Sequence, residues 1–297
     1  MIRYKVSAAR EQRPAGSTPF HEYVFDDGTV WTEFYRVATG YLLRFPNLAD
    51  FEVSADGTKV TAHPAGDTDA TTVEHLYLNQ LVPLALSRQG RPAFHASVVT
   101  VPGGCVAFLG KSGMGKSTLA ASFALADAAF LTDDALIVEE RDGTILAIPS
   151  HASLRLWEDS VGVLIDPDTA RAGPISYSDK ARLLAGDALN YRDRPTPLLA
   201  AYLLQAEDPA AVTIRPLGGA DRHLAWVENS FLLDIQDQVL LARHFGWTHR
   251  IAGQVPTYAL DYPRDYDRLA EVRQAIQQHV SGPRDSGRSR HQVVPPA

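Results

Sequence analysis

The sequence predicts an α/β fold with a phosphate-binding loop in its core and a small β-rich module at its N-terminus. Two apolar segments, at residues 94–101 and 105–110, have the composition of buried strands. A glycine-rich loop and a helix-forming segment from Lys116 to Ala126 follow them, and a further apolar segment at 128–132 ends in two aspartates. Strand, glycine loop, helix and strand in this order are typical of nucleotide-binding α/β units.

The first ninety residues predict a small sheet that is closed by a helix. Residues 21–62 contain several segments rich in aromatic and β-branched residues, which favour strands. An Asp-Gly pair at 56–57, between two short alternating segments, indicates a hairpin turn. From residue 71 to residue 88 the apolar positions recur at helical spacing, and Gly90 is suited to end that helix.

Beyond the aspartate pair, the sequence predicts further strands and two long helical segments. Strands are predicted at 135–140 and 144–148 around a turn, and segments 201–207 and 212–217 are expected to pair with each other. The helical segments are 219–246 and 264–280. The resulting division is a β-rich module at 1–90, a P-loop domain at 91–280 and a tail at 281–297 that is expected to be disordered.

Composition excludes several classes of protein. Of the 297 residues, 45% are hydrophobic and 21% are charged, as in ordinary folded proteins. The net charge of −7 argues against a nucleic-acid partner, and a single cysteine, Cys105, excludes an internal disulfide and a cysteine zinc cluster. No segment is long and apolar enough to predict a transmembrane helix, and the N-terminal residues do not have the pattern of a signal peptide. We therefore expect a cytoplasmic protein with no membrane partner.

The glycine-rich loop matches the pattern G-x-x-x-x-G-K-[ST] without a gap. Its glycines let successive backbone N–H groups face phosphates, and the N-terminus of the following helix adds a positive dipole. Lys116 is expected to reach the β- and γ-phosphates, and the Ser117 hydroxyl to bind Mg²⁺ beside ATP. The predicted nucleotide-binding residues are Gly110, Lys111, Ser112, Gly113, Met114, Gly115, Lys116, Ser117 and Thr118.

Asp133 and Asp134 end an apolar strand seventeen positions after Lys116, where a carboxylate would lie beside the metal. One of them can serve the metal and the other can accept a proton from an attacking hydroxyl; alternatively, the pair is a solvated turn. His95 lies in an apolar strand and is either a core residue or the partner of an acid. The strand that ends at Asp133 could supply that acid, whose basicity the histidine would then tune.

Three segments together resemble the C-terminal kinase domain of the HPr serine kinase/phosphorylase family. They are F-H-A-S-V-V at 94–99, G-K-S-G-M-G-K-S-T at 110–118 and L-T-D-D-A-L at 131–136. The resemblance implies a P-loop kinase core of the HPr kinase and phosphoenolpyruvate carboxykinase type, and the sequence has no H-R-D or D-F-G motif of ordinary protein kinases. It also implies that Asp133 is the base for the substrate serine, that His95 is its partner and that Asp134 supports the metal.

The sequence departs from that family at both ends. It has no counterpart of the C-terminal basic segment with which HPr kinases dock their phosphocarrier and run the phosphorylase reaction, and its first ninety residues do not resemble their regulatory domain. The layout is more similar to the HPr-kinase-like kinases of lasso-peptide gene clusters, which phosphorylate the C-terminal serine of a precursor peptide. Arg155, Lys180 and Arg182 are candidates to hold phosphates or a substrate carboxylate, or else form a solvated charged face.

The sequence thus predicts an ATP-dependent serine kinase that acts on a peptide or protein, with Asp133, His95 and Lys116 as catalytic residues and Ser117 and Asp134 at the metal. The expected acceptor is the C-terminal serine of a lasso precursor peptide. A non-catalytic nucleotide switch, a small-molecule kinase and a bidirectional kinase/phosphorylase are the alternatives. A switch needs a residue to orient water, whereas this sequence offers a base for a hydroxyl. The family resemblance also implies a homo-oligomer.

Overall fold

A computed structural model describes residues 2–25, 27–166, 169, 171–173, 175–186, 188–206 and 208–282. The expected disordered tail at 281–297 lies outside these ranges from residue 283 onward. The described chain is a mixed α/β structure with several sheets, which confirms the predicted fold class at that level. Among the described residues, no helix is long and apolar enough to cross a membrane.

The N-terminal part of the chain forms a six-stranded sheet. Its strands are β1 (Arg3–Val6), β2 (His21–Val24), β3 (Val30–Val37), β4 (Gly40–Phe45), β5 (Ala49–Ser54) and β6 (Lys59–Pro64). The spatial order is β1-β6-β5-β4-β3-β2, with β1 parallel to β6 and the other neighbours antiparallel. The strands expected within 21–62 are therefore confirmed, while β1 was not predicted.

The helix predicted over 71–88 is present in three parts: α1 (Ala70–Leu76), a π-helical turn (Tyr77–Leu81) and α2 (Val82–Arg88). The Asp69 side chain caps α1 by accepting a hydrogen bond of 2.8 Å from the Thr72 N–H. The helix packs its apolar side chains against the sheet, and the shared core also contains the fully buried Leu233 from much later in the chain. The predicted module boundary at residue 90 stays a prediction.

The larger part of the chain contains the remaining elements. Its strands are β7 (Ala93–Phe94), β8 (Ala96–Val101), β9 (Gly104–Leu109), β10 (Phe130–Thr132), β11 (Leu136–Arg141), β12 (Thr144–Ile148), β13 (Ser153–Leu156), β14 (Ala181–Leu184), β15 (Thr196–Leu204), β16 (Thr213–Pro216) and β17 (Thr257–Asp261). Its helices are α3 (Lys116–Ala124), α4 (Glu158–Leu164), α5 (Gly219–Glu228), α6 (Gln238–Gln254) and α7 (Leu269–Ser281), with a 3₁₀ turn at Tyr266–Arg268.

The long strand β15 organises the main sheet. It pairs in parallel with β9 on one side and with β17 on the other, while its first residues pair with β12. One series of neighbouring strands is β10-β8-β9-β15-β17-β16. A second series branches from the start of β15 and has the order β15-β12-β11-β7. Strands β13 and β14 pair with each other in a separate two-stranded sheet. Helices cover both faces of the main sheet. Successive residues of a strand point to opposite faces. Phe108 of β9 lies in a hydrophobic core with α3 and α7, and its neighbour Ala107 lies in another with α5 and α6.

The expected pairing between segments 201–207 and 212–217 is wrong. β17 lies between β15 and β16, so that Leu260 is opposite Leu204 on one side and Ile214 on the other. The prediction assumed that strands adjacent in sequence are neighbours in space, which holds only in about two-thirds of cases. Here a strand that comes later in the chain separates them.

The segment expected to be helical over 219–246 is helical only in part, because the chain leaves the helix after α5 and starts α6 at Gln238. Asp237 causes the new start: its Oδ1 accepts hydrogen bonds of 3.0 Å from the N–H groups of both Val239 and Leu240. The intervening segment contacts the N-terminal sheet through Asp234. That carboxylate accepts hydrogen bonds of 3.0 and 2.7 Å from the Arg36 guanidinium.

Candidate active site

The glycine-rich loop connects β9 to α3 and needs its glycines for conformation and for space. Gly110, Gly113 and Gly115 have φ angles of 137°, 83° and 86°, a region that favours glycine. Gly115 is also the residue that precedes α3, and a Cβ atom there would lie 2.8 Å from the Tyr262 hydroxyl. The loop therefore wraps tightly around the N-terminus of α3, as a phosphate-binding loop must.

Lys116 lies across the inside of this loop. Its Nζ donates hydrogen bonds to the carbonyl oxygens of Gly110 at 2.6 Å and Lys111 at 2.9 Å, and the residue is buried. Burial lowers the pKa of Lys116 to about 8, against the opposing attraction of Asp134 and Asp133. The ammonium group is thus still charged at neutral pH and lies where it can meet phosphate oxygens.

Asp133 is buried, and the protein itself holds both of its carboxylate oxygens. Oδ1 accepts hydrogen bonds from the hydroxyls of Ser97 at 2.5 Å and Ser117 at 2.9 Å, and Oδ2 accepts one of 2.9 Å from the Arg155 N–H. Burial, followed by repulsion from Asp134, raises the pKa of Asp133 to about 6. The Ser117 contact joins the loop to the end of β10.

His95 contacts Asp134 rather than the expected Asp133. Its Nδ1 lies 3.1 Å from the backbone carbonyl oxygen of Asp134, which is an acceptor only, so Nδ1 carries the proton. The carbonyl faces the ring because the Asp134 backbone has a φ of 66°, a left-handed conformation that the sequence pattern does not reveal. Burial and the charge of Lys116 lower the pKa of His95 to about 4, so the ring is neutral at pH 7.

The Asp134 carboxylate lies among positive charges. Burial acts to raise its pKa, but the neighbouring His95 in its protonated form and the cations Arg155, Lys180 and Lys116 outweigh burial and lower the pKa to about 2. Arg155 Nη1 donates a hydrogen bond of 3.3 Å to Oδ2. Asp134 is therefore ionised at neutral pH.

These side chains meet in one cleft, which we call the phosphoryl-transfer cleft. Its walls are formed by His95, Ser112, Gly113, Gly115, Lys116, Ser117, Thr118, Asp134, Arg155, Trp157 and Lys180. Most of the predicted site residues thus come together at the N-terminus of α3. Asp133 lies behind the wall, and Met114 lines a neighbouring cleft.

The three candidate cations differ in their placement. Arg155 on β13 donates from Nη2 to the Ser178 hydroxyl at 2.9 Å, and the Lys180 ammonium lies 4.9 Å from the centre of the Trp157 ring. Arg182 lies directly opposite Arg155 in the pairing of β13 with β14, but it is not among the described residues that line the phosphoryl-transfer cleft. The structure therefore brings Arg155 and Lys180 to the site.

Several residues that support the site were not predicted. Asn229 accepts a hydrogen bond of 3.0 Å from the Gly110 N–H through its side chain and one of 2.6 Å from the His95 N–H through its carbonyl. Arg264 donates to the Met114 carbonyl at 2.9 Å. Only Ser97, on the buried strand β8 just after His95, had a signal, since a hydroxyl at such a position needs a partner.

The residues at the loop fit a magnesium ion that is bound together with a nucleotide. Mg²⁺ prefers oxygen ligands and is usually held by one or two protein groups plus waters and substrate phosphates. The Ser117 hydroxyl, which lines the cleft, is such a group, and the Asp133 carboxylate behind it holds that hydroxyl by accepting its hydrogen bond of 2.9 Å. Within the described ranges, no group of three or more His, Cys, Asp or Glu residues forms a metal site made by protein side chains alone.

The raised pKa of Asp133 predicts a pH dependence of stability. Between the ordinary aspartate pKa of 3.8 and about 6 the folded state binds more protons than the unfolded state, so the free energy of unfolding is expected to fall as pH rises through this window. The lowered pKa of Asp134 acts in another window, between about 2 and the ordinary pKa of 3.8, where stability is lost as pH falls.

Denaturant unfolding of the wild type and Asp133→Asn between pH 4 and 6.5 tests this expectation. The difference between the two proteins isolates Asp133, because the same histidines titrate in both. We expect the wild type to lose stability relative to the variant as pH rises. Parallel pH profiles would show that burial does not raise the pKa of Asp133.

Comparison with known proteins gives a limited result. No protein-family model matches the chain, and no curated protein matches it. Among solved structures, the chain is similar to the HPr(Ser) kinase/phosphatase from Coxiella burnetii, with a TM-score of 0.35 and 10% sequence identity over 63% of this chain and 95% of that chain. At this level of similarity, membership of that family stays a prediction.

Proposed function

We propose that the protein is an ATP-dependent serine kinase that transfers the γ-phosphoryl group of Mg·ATP to a serine hydroxyl of a peptide or protein. One observation carries the proposal: the loop ammonium of Lys116, the ionised carboxylate of Asp134 and the cations Arg155 and Lys180 line one cleft. Phosphoryl transfer depends mainly on positioning and on stabilising charge as it develops. A cleft with this set of groups supplies both.

The two aspartates have different tasks in this proposal. Asp133 holds the Ser117 hydroxyl beside the loop, because its oxygens accept hydrogen bonds from Ser97, Ser117 and the Arg155 N–H. Asp134 accepts the proton of the acceptor serine, because it lines the phosphoryl-transfer cleft and is ionised at neutral pH. This division reverses the one that the family resemblance implies, and access to the cleft supports the reversal.

The proposed reaction forms one bond and breaks one. The serine oxygen attacks the γ-phosphorus while the bond to the ADP oxygen breaks, and the hydroxyl proton passes to Asp134 as the new bond forms. Lys116 attracts the γ-phosphate oxygens and the loop N–H groups hold the other phosphates. Mg²⁺, when it is bound beside Ser117 and Asp133, neutralises charge on the phosphates.

The cations of the phosphoryl-transfer cleft favour a substrate with a carboxylate. Arg155 and Lys180 both line it, and the Ser178 hydroxyl holds one end of the Arg155 guanidinium at 2.9 Å. Guanidinium and ammonium groups bind carboxylates by charge-assisted hydrogen bonds. A C-terminal serine places its own carboxylate next to its hydroxyl, so the C-terminal serine of a lasso-type precursor peptide is the acceptor that we propose.

A pair of peptides that differ only at the C-terminus tests the acceptor. Both end in serine, one as the free acid and the other as the amide, and phosphorylation with Mg·ATP is followed by mass spectrometry. Removing the carboxylate charge is expected to raise KM by about tenfold or more, the loss of one charge-assisted contact. Equal KM values would exclude recognition of the carboxylate and leave a serine kinase with another specificity.

The same assay distinguishes the alternative functions. ATP hydrolysis with no peptide product would indicate a nucleotide switch rather than a kinase. Removal of phosphate from the phosphopeptide by added inorganic phosphate would indicate a bidirectional kinase/phosphorylase. We expect no hydrolysis without a peptide product, since the phosphoryl-transfer cleft offers a base for a hydroxyl in Asp134. We expect no phosphorylase reaction, since the sequence has no counterpart of the basic segment with which HPr kinases run it.

A further inference from the structure

We infer that a second cleft, on the other side of the phosphate loop, binds the nucleoside part of the nucleotide through an aromatic wall formed by Tyr262 and Tyr266. We call it the nucleoside cleft. The inference rests on the proposed function, since it assumes that the loop binds a nucleoside triphosphate. It adds a separate cleft whose aromatic wall comes from the segment between β17 and α7, outside every motif that the sequence singled out.

Continuity with the phosphate loop is the first support. The nucleoside cleft has a volume of about 350 Å³, within the range of small-molecule pockets. It shares Gly113, Gly115 and Thr118 with the phosphoryl-transfer cleft. A ligand whose phosphates lie over the N-terminus of α3 can therefore extend directly into the nucleoside cleft.

The chemistry of the two clefts matches the two halves of a nucleotide. The phosphoryl-transfer cleft is lined by charged groups such as Lys116 and Arg155. The nucleoside cleft is lined largely by aromatic and apolar side chains, namely Met114, Tyr262, Pro263, Tyr266 and Leu269. Aromatic side chains bind nucleobases by stacking, because every base presents a flat π face.

Contacts with neighbouring elements fix the walls of the nucleoside cleft. The Tyr266 hydroxyl lies 3.0 Å from the Ser160 hydroxyl, and that hydroxyl in turn lies 3.3 Å from Thr118 Oγ1 at the start of α3. Tyr262 is buried, and its hydroxyl lies so close to the loop that a Cβ atom on Gly115 would be 2.8 Å from it. The aromatic wall and the phosphate loop are thus held in one arrangement.

Arg264 is a positioning residue for this arrangement. Its Nη1 donates to the Met114 carbonyl at 2.9 Å, its Nη2 donates to the Gln205 carbonyl, and its guanidinium lies 4.1 Å from the centre of the Tyr262 ring. Because both terminal nitrogens donate to backbone carbonyls, Arg264 ties the phosphate loop to the wall.

The test compares the binding of ATP with that of inorganic triphosphate, which has the phosphates but no base. Calorimetry on the full chain with Mg²⁺ measures both affinities for the wild type, Tyr266→Ala and the matched control Tyr266→Phe, which keeps the ring. We expect Tyr266→Ala to weaken ATP about tenfold and to leave triphosphate unchanged. Tyr266→Phe is expected to bind ATP within about twofold of the wild type.

A second variant keeps the inference testable if Tyr266→Ala unfolds. Ala206→Trp adds a large side chain to the wall of the nucleoside cleft and is expected to weaken ATP but not triphosphate. Wild-type protein that binds triphosphate as tightly as ATP would overturn the inference and leave the proposed function intact. Wild-type protein that binds neither ATP nor triphosphate would overturn both the inference and the proposed function. If folded Tyr266→Ala and Ala206→Trp lose affinity for ATP and for triphosphate equally, the inference is overturned.

Discussion

Lys116→Ala is expected to lower kcat for peptide phosphorylation by about 10²- to 10³-fold. The substitution removes the one ammonium group that lies inside the phosphate loop, where it donates to the Gly110 and Lys111 carbonyls, so the charge that develops on the γ-phosphate loses its closest partner. Mass spectrometry of the peptide product under saturating Mg·ATP measures the rate.

Lys111→Ala is the matched control for this substitution, because Lys111 is the other lysine of the same loop and its side chain is exposed. We expect it to retain activity within about tenfold of the wild type. Thermal melting of both variants checks that the loss in Lys116→Ala does not come from unfolding. A folded Lys116→Ala protein with activity within about tenfold of the wild type would contradict the assignment of the phosphate loop.

Asp134→Asn is expected to lower kcat by about 10²- to 10⁴-fold, the usual contribution of a general base. The amide has nearly the shape of the carboxylate but cannot take the serine proton. The variant also leaves Arg155, Lys180 and Lys116 without the negative charge that they now face, so ATP affinity is measured separately by calorimetry. Loss of kcat with ATP binding retained is the expected pattern.

Two comparisons show whether Asp134 or a neighbour is the base. His95→Ala is expected to cost less than Asp134→Asn, since His95 contacts the Asp134 backbone rather than its carboxylate. A greater loss in His95→Ala would assign the base to the histidine. Asp133→Asn is expected to raise the Mg²⁺ concentration needed for activity; a loss of kcat larger than that of Asp134→Asn at an unchanged Mg²⁺ requirement would restore Asp133 as the base.

The sequence predicted the phosphate loop because all of its determinants are local. Eight contiguous residues specify the pattern. The positive φ angles at positions 113 and 115 occur at glycines, which adopt such angles without steric cost. The aspartate pair could also be identified from the sequence, since it ends a short apolar strand. Partners distant in sequence could not be predicted: Asn229 and Gly110, which form a hydrogen bond, are 119 positions apart, and Arg264 and Met114 are 150 positions apart.

Errors in the predicted fold and site have related causes. Hydrophobic periodicity identified segments that overlap β15 and β16. It did not show that β17, which follows them in the sequence, lies between them in the sheet. The pairing of His95 with Asp133 failed because a single backbone angle, at Asp134, turns a carbonyl towards the ring. Local patterns thus predicted many of the elements and the position of the glycine-rich loop before α3, whereas tertiary packing decided which neighbours they have.

The contribution of Leu233 and Asp234 to the N-terminal sheet has a consequence for the order of folding. Arg36 and Asp234 are 198 positions apart. A growing polypeptide therefore exposes the sheet long before Leu233 and Asp234 leave the ribosome. Until then, the apolar surface that Leu233 covers stays in contact with water. Closing so long a loop is slow, and the nascent chain is expected to depend on chaperones during this interval.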